Sequence, residues 1–377
     1  MVRWLNDGSS NEKLSLQRIG VQLFGLLIDN RADYFKSDIT NSLLDMIEFK
    51  IRREMEENNS VMLNNNRWEL LYFCLICFEK VYDAMLCSSI GKHSIWDTIV
   101  KALIHPHPWV QQVASRNISK LVLSISPTTL DSEDESRTIF VRERKGSLYE
   151  IARNLCHQLN SSEEDQDENL SINAIKILSW VVRAMNSHPE LCYKEEVLVS
   201  DLDADKKDNK RDPNLWVFNR LSNIAKNKGN QRRTAVFKCY AAFGTVCSGD
   251  LLSKYLPTML EPLNRALTEG ENEENSKKGR RDEEDEYREI IKQVLQLLEN
   301  CCGTEEFIKA LAAVKSQATK KKVKHKQEID TEAITNPKAA AERKIQKQQA
   351  SKRRKKRRME EKMAAKGNFK KRNLGFH

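Results

Sequence analysis

Pro108-Trp109-Val110-Gln111-Gln112-Val113-Ala114-Ser115-Arg116-Asn117-Ile118-Ser119-Lys120-Leu121-Val122-Leu123-Ser124-Ile125 carries the pattern on which the fold turns. Within it Val110, Val113, Ala114, Ile118, Leu121, Val122 and Ile125 recur at steps of three and four, the spacing of one apolar helix face. Pro108 suits the first helical turn, where the N–H it lacks would have no intrahelical partner. Just upstream, residues 94–104 form a second amphipathic stretch that ends in the elbow His105-Pro106-His107-Pro108. Two antiparallel helices joined by a proline-containing turn are predicted, making one helical hairpin.

The same arrangement recurs on the C-terminal side. Residues 148–159 lead across an acidic loop, 163–168, into 171–185, where Ile175, Leu178, Val182 and Met185 align. Residues 215–225 lead through Lys228-Gly229-Asn230 into 232–246, with Val236, Phe237, Tyr240, Ala241 and Gly244 on one face. Residues 251–267 pair with 287–298 across a charged insertion at 269–286, and 14–28, 39–57 and 68–86 precede the elbow. A lone hairpin cannot hide its apolar face, so several must stack. Equivalent second helices start about 60 residues apart, at Trp109, Ser171 and Arg232. That exceeds the roughly 40–47 residues of HEAT or armadillo units, and the charged loops supply the excess. The alternative is an irregular helical bundle; the repetition favours an α-solenoid.

Composition agrees with helices. Only 13 Gly and 8 Pro occur in 377 residues, few for a chain of many strands and tight turns. The longest uncharged apolar run, 70–78, is about half the ~20 residues a membrane-spanning helix needs. The N-terminus lacks the basic start, apolar middle and small-residue cleavage site of a secretory signal. Nine Cys, mostly on apolar helical faces, therefore read as reduced buried thiols of a cytosolic or nuclear protein.

Charge is distributed unevenly. Residues 315–377 hold 22 Lys/Arg against 6 Asp/Glu, a net of +16 in a chain whose total is +9, so residues 1–314 sum to −7. The densest part is Lys352-Arg353-Arg354-Lys355-Lys356-Arg357-Arg358. Seven consecutive cations repel one another and bury nothing; they suit a polyanion or a receptor that reads basic runs. Residues 316–366 contain no Phe, Tyr or Trp, so stacking on splayed bases is unavailable there and phosphate contact remains. Asn336-Pro337 supplies an N-cap and first-turn proline for a helix over an Ala/Lys/Arg/Gln-rich stretch with no apolar stripe, projecting into solvent or forming on binding.

Other motifs read as structural. Cys74 and Cys77 have the spacing of a zinc or redox pair but lie inside an apolar run, with no second pair and no downstream His at ligand spacing. Cys301-Cys302 sit beside Gly303 at a helix end, and packing is the expected role. His105 and His107 flank prolines with no third ligand in the neighbouring sequence, which fits an elbow better than a metal site. The acidic clusters 163–167, 201–205 and 271–274 read as solvated insertions. No phosphate-binding glycine loop, Ser/His/Asp pattern or zinc-hydrolase helix occurs, so neither an enzyme nor a cofactor is expected.

His105-Pro106-His107-Pro108-Trp109-Val110-Gln111 resembles a His-Pro-His-x-Trp-Val-Arg element near the end of a very large HEAT-repeat scaffold of the small-subunit processome, the down-regulated-in-metastasis family. Further matching stretches are Leu155-Cys156-His157-Gln158-Leu159-Asn160, residues 255–263, Gly303-Thr304-Glu305-Glu306-Phe307, and Ala333-Ile334-Thr335-Asn336-Pro337-Lys338-Ala339-Ala340 with Arg343-Lys344 and the basic run. The resemblance runs in register from about Gln17 to Lys371. It implies a non-enzymatic nucleolar scaffold, associated with a small nucleolar ribonucleoprotein, that supports maturation of small-subunit ribosomal RNA. Gln111 stands where the family usually has Arg, which weakens any RNA contact from that position. The chain is far shorter than the family's proteins, and residues 1–27 are expected to expose an apolar face that a preceding repeat would cover.

The expected chain is thus all-α: an irregular HEAT/armadillo-like α-solenoid over 1–300, a connecting helix over 301–319, and a basic helical or disordered tail over 320–377. Lys320, Lys321, Lys322, Lys324, Lys326, Arg343, Lys344, Lys352, Arg353, Arg354, Lys355, Lys356, Arg357, Arg358, Lys370, Lys371 and Arg372 are the candidates for nucleic-acid binding or nuclear localisation. Expected partners are pre-ribosomal RNA, the small nucleolar ribonucleoprotein, other processome proteins and a nuclear import receptor, in the nucleus and nucleolus. Neither a membrane nor a small-molecule substrate is expected. The competing reading is a HEAT adaptor of nuclear-transport or chromatin type whose tail serves only as a localisation signal.

Overall fold

Apolar residues at helical spacing and few glycines predispose this chain to helix, and burial of the apolar faces against one another stabilises it. The computed structural model describes residues 11–31, 37–58, 67–85, 93–130, 141, 146–160, 168–192, 212–226, 230–273 and 281–373. Among them are α1 (Asn11–Arg31), α2 (Ser37–Asn58), α3 (Arg67–Met85), α4 (His93–Ala102), α5 (Pro108–Leu123), α6 (Ser147–Asn160) and α7 (Glu168–Ser187). There follow α8 (Pro213–Lys226), α9 (Asn230–Val246), α10 (Gly249–Glu273), α11 (Arg281–Cys302), α12 (Thr304–Thr335) and α13 (Pro337–Asn373). The described residues contain no strand.

The helices fall into two compact units, Met1–Leu311 and Ala312–His377. In the first unit α2/α3, α4/α5, α6/α7, α8/α9 and α10/α11 each pack as a pair. Even-numbered helices also pack in series, α2 on α4, α4 on α6, α6 on α8 and α8 on α10, and odd-numbered helices do the same from α1 to α11. Two layers built by consecutive hairpins define an all-α solenoid rather than a bundle. The predicted face of α5 is the core: Val110, Val113, Ala114, Ile118, Leu121, Val122 and Ile125 are all buried. On α1 the row Leu16, Ile19, Leu23, Leu26 and Leu27 stays exposed, while Val21 and Ile28 are buried.

Polar side chains tie neighbouring helices together at backbone carbonyls. Asn117 of α5 donates to the Leu75 carbonyl of α3 (3.2 Å), and Asn154 of α6 to that of Val100 in α4 (2.8 Å). Gln158 of α6 donates to the Leu103 carbonyl just beyond α4 (2.6 Å), and the Trp180 indole of α7 to that of Ile125 just beyond α5 (2.7 Å). Asn214 of α8 donates to the Val182 carbonyl of α7 (3.2 Å). The bonds to Val100, Leu103 and Ile125 fall on carbonyls in or just past the last turn of a helix, where intrahelical donors run out, while those to Leu75 and Val182 add a second donor to carbonyls inside a helix.

Several boundaries differ from the sequence reading. The charged insertion expected at 269–286 is mostly helix: α10 runs on to Glu273 and α11 begins at Arg281. Solvated charged side chains do not stop a helix once its apolar stripe is anchored, and Leu256, Met259, Leu260 and Leu263 anchor α10 despite its internal Pro257 and Pro262. Cys301 and Cys302 close α11 rather than follow it, and Gly303 turns the chain with φ 86°. The basic cluster from Lys320 continues α12 without a break to Thr335.

Candidate nucleic-acid interface

Asn336 separates α12 from α13, and Pro337 opens α13 as the expected first-turn proline. Lys320, Lys321, Lys322, Lys324 and Lys326 stand exposed on α12. Arg343, Lys344, Lys352, Arg353, Lys355, Lys356 and Arg357 stand exposed on α13. The side chains of Arg354, Arg358, Lys370, Lys371 and Arg372 lie outside the described residues. Arg343 pairs with Glu332 across the Asn336 junction, and Lys324 approaches Glu328 at 4.0 Å. At about 100° per residue, the described cations Arg343, Lys344, Lys352, Arg353, Lys355, Lys356 and Arg357 are spread around the axis of α13 instead of forming one stripe. Such a rod can meet phosphates on any side. It provides electrostatic attraction without base readout.

The elbow is a built turn. The His107 N–H donates to Nδ1 of His105 (3.0 Å), and the Trp109 N–H to Nδ1 of His107 (3.3 Å), so His107 caps α5. Gln111 donates to the His105 carbonyl (2.6 Å). Burial pushes the His105 imidazole down to about 4, with His107 adding to the effect, and burial also lowers His107. Both Nδ1 atoms serve as turn acceptors, which is the elbow role. Three or more His, Cys, Asp or Glu grouped to hold a metal do not occur among the described residues.

The sequence reading missed what surrounds this turn. His107 stacks on Trp68 of α3, with centroids 3.5 Å apart and planes 8° from parallel. Trp109 sets its edge against Trp68 at 5.5 Å and lies 5.9 Å from Tyr72. Periodicity flags none of this, because Trp68 and Trp109 meet only after α3 and α5 pack.

Among the described cysteines Cys74, Cys77, Cys156, Cys192, Cys239 and Cys247 are core residues, and Cys301 and Cys302 are half-buried. Cys74, Cys77 and Cys156 are fully or almost fully buried; burial pushes the thiols of Cys77 and Cys156 up to about 12 and raises Cys74 further. Burial disfavours the thiolate at each of them and places the side chains in the packing of the core. No helix of the described residues is long and apolar enough to cross a membrane.

The fold and this surface define a helical-repeat protein with a cationic C-terminal helix. The sequence profile described as "Small subunit processome component 20 homolog, C-terminal" matches residues 16–361, and the chain belongs to that family. It is 24% identical over 321 residues to the U3 small nucleolar RNA-associated protein 20 of Saccharomyces cerevisiae, a match covering 81% of this chain. The chain spans 12% of that relative's length. A crystal structure of an engineered protein superposes on 79% of this chain and 95% of its own, with a TM-score of 0.39 and 11% identity.

Proposed function

We propose that this chain is a non-enzymatic scaffold segment acting within the small-subunit processome during ribosome biogenesis, in the nucleolus. In this reading the hairpin layers hold neighbouring processome proteins and a small nucleolar ribonucleoprotein. The helix from Pro337 grips pre-ribosomal RNA through its phosphates, and the run from Lys352 to Arg358 also engages a nuclear import receptor. The observation that carries the reading is a family match across residues 16–361 in a chain whose C-terminal helices present exposed cations between Lys320 and Arg357. The relative's printed association with a small nucleolar RNA supports the choice of RNA over other polyanions.

The test separates RNA contact from import. Deleting 352–358 in a protein carrying a foreign nuclear signal should abolish much of its crosslinking to pre-ribosomal RNA and slow small-subunit ribosomal RNA maturation. Crosslinking and maturation that survive the deletion overturn the RNA role and leave a protein-binding adaptor whose tail is only a localisation signal.

A further inference from the structure

We propose that the groove between α3 and α5 is a nucleobase-stacking site for single-stranded RNA: Trp109, backed by Trp68 and Tyr72, takes an unpaired base, while Arg116 and Lys120 take the neighbouring phosphates. The inference rests on the RNA reading above but on a different part of the chain, in the unit Met1–Leu311.

Trp109 is 55% exposed although it belongs to a cluster of rings. An exposed indole is ordinary by itself; one fixed in orientation is not. Trp68, Tyr72 and the His107 ring all contact it, and the capped turn with its Gln111 bond holds the backbone beneath it. A base arriving on that ring would lose no ordering of the protein.

The rest of the groove follows from helical geometry. Steps of seven and eleven residues return to nearly the same face, so Trp109, Arg116 and Lys120 form one line, with the cations about 10 and 16 Å along the axis. On α3, Trp68, Tyr72 and Glu79 form the facing line by the same rule. Glu79 pairs with Arg116 at 2.8 Å and with Lys120 at 3.0 Å, and Glu69 in the first turn of α3 pairs with Arg18. Both carboxylates are therefore compensated, and these five groups leave one positive charge in excess. The aliphatic residues between the lines, Leu71, Leu75 and Val113, are buried, so rings and cations face outward. Flat π-faces beside Arg and Lys are the chemistry that holds unpaired bases and their phosphates. Residues 316–366 have the charge but lack the rings.

Binding of the whole chain to a short single-stranded oligoribonucleotide tests this, with an abasic strand of equal length and an RNA duplex as controls. The unaltered chain should prefer the base-bearing strand. Trp109→Ala should weaken that complex about tenfold or more, leave the abasic strand unchanged and keep the salt dependence. Trp109→Phe should retain most of the preference, which guards against a folding artefact. Deleting 352–358 should weaken all three ligands and flatten the salt dependence. That deletion failing while Trp109→Ala succeeds would sink the tail reading alone. Equal binding of base-bearing and abasic strands, or an unaffected Trp109→Ala protein (as expected if the groove serves a protein partner), would overturn the proposal.

Discussion

His105 holds the elbow only while its imidazole is neutral, because its Nδ1 accepts the His107 N–H from a buried position. Its folded pKa of about 4 lies below the ordinary value of 6.5. As pH falls, the unfolded chain binds the proton first. The His105 contribution is therefore complete above about pH 6.5 and is lost as pH drops toward 4, an effect of about 3 kcal/mol. His105→Asn keeps an oxygen that can accept the N–H but cannot titrate. Its urea midpoint should change less between pH 6.5 and 5 than that of the unaltered chain; identical slopes would assign the effect to another group. Trp180 supplies a second test at this scale. Trp180→Phe keeps most of the packing but strands the Ile125 carbonyl, and should cost about 1–3 kcal/mol in denaturant unfolding.

Between elements, α10 begins in close backbone contact with the end of α11. A Cβ at Gly249 would collide with the Cys301 carbonyl oxygen, a backbone atom that cannot rotate away. Gly244 of α9 faces a side chain instead, Leu297, which is only half-buried. Gly249→Ala should thus destabilise the protein by about 1–3 kcal/mol. For Gly244→Ala the gain in helix propensity, about 1 kcal/mol, offsets most of the repacking cost. Thermal melts of the two variants should separate clearly, and equal melting temperatures would contradict the assignment of backbone contact to Gly249. The amide ties from α6 to α4 give a parallel expectation. Asn154→Leu leaves the Val100 carbonyl with only the longer bond from the Leu103 N–H (3.3 Å), and faster hydrogen exchange in the last turn of α4 should reveal it.

For the whole molecule the governing contrast is a body summing to −7 and a C-terminal region of +16. If the seven cations from Lys352 to Arg358 all meet phosphates, log affinity should fall with log salt at a slope on the order of −5 to −6 from this segment. Removing the segment should flatten the measured dependence by about that amount. RNA binding indifferent to salt would exclude the proposed grip.

How much of this was legible in the chain depended on range. The helices, their pairing into hairpins and the cationic end follow from spacing and charge along the backbone, and these are local properties. Val110 to Ile125 declared its buried face, and Asn336-Pro337 declared a helix start. The extents of α10 and α11 were not legible, since charged residues look like loop until an anchored stripe carries the helix through them. Nor was the cluster at the elbow. Trp68 and Trp109, like Gln158 and the Leu103 carbonyl fifty-five residues before it, are brought together by packing alone. Period and charge fix what each helix is; which side chains meet, and which ring stays exposed, is decided only when separate helices bury their stripes against one another.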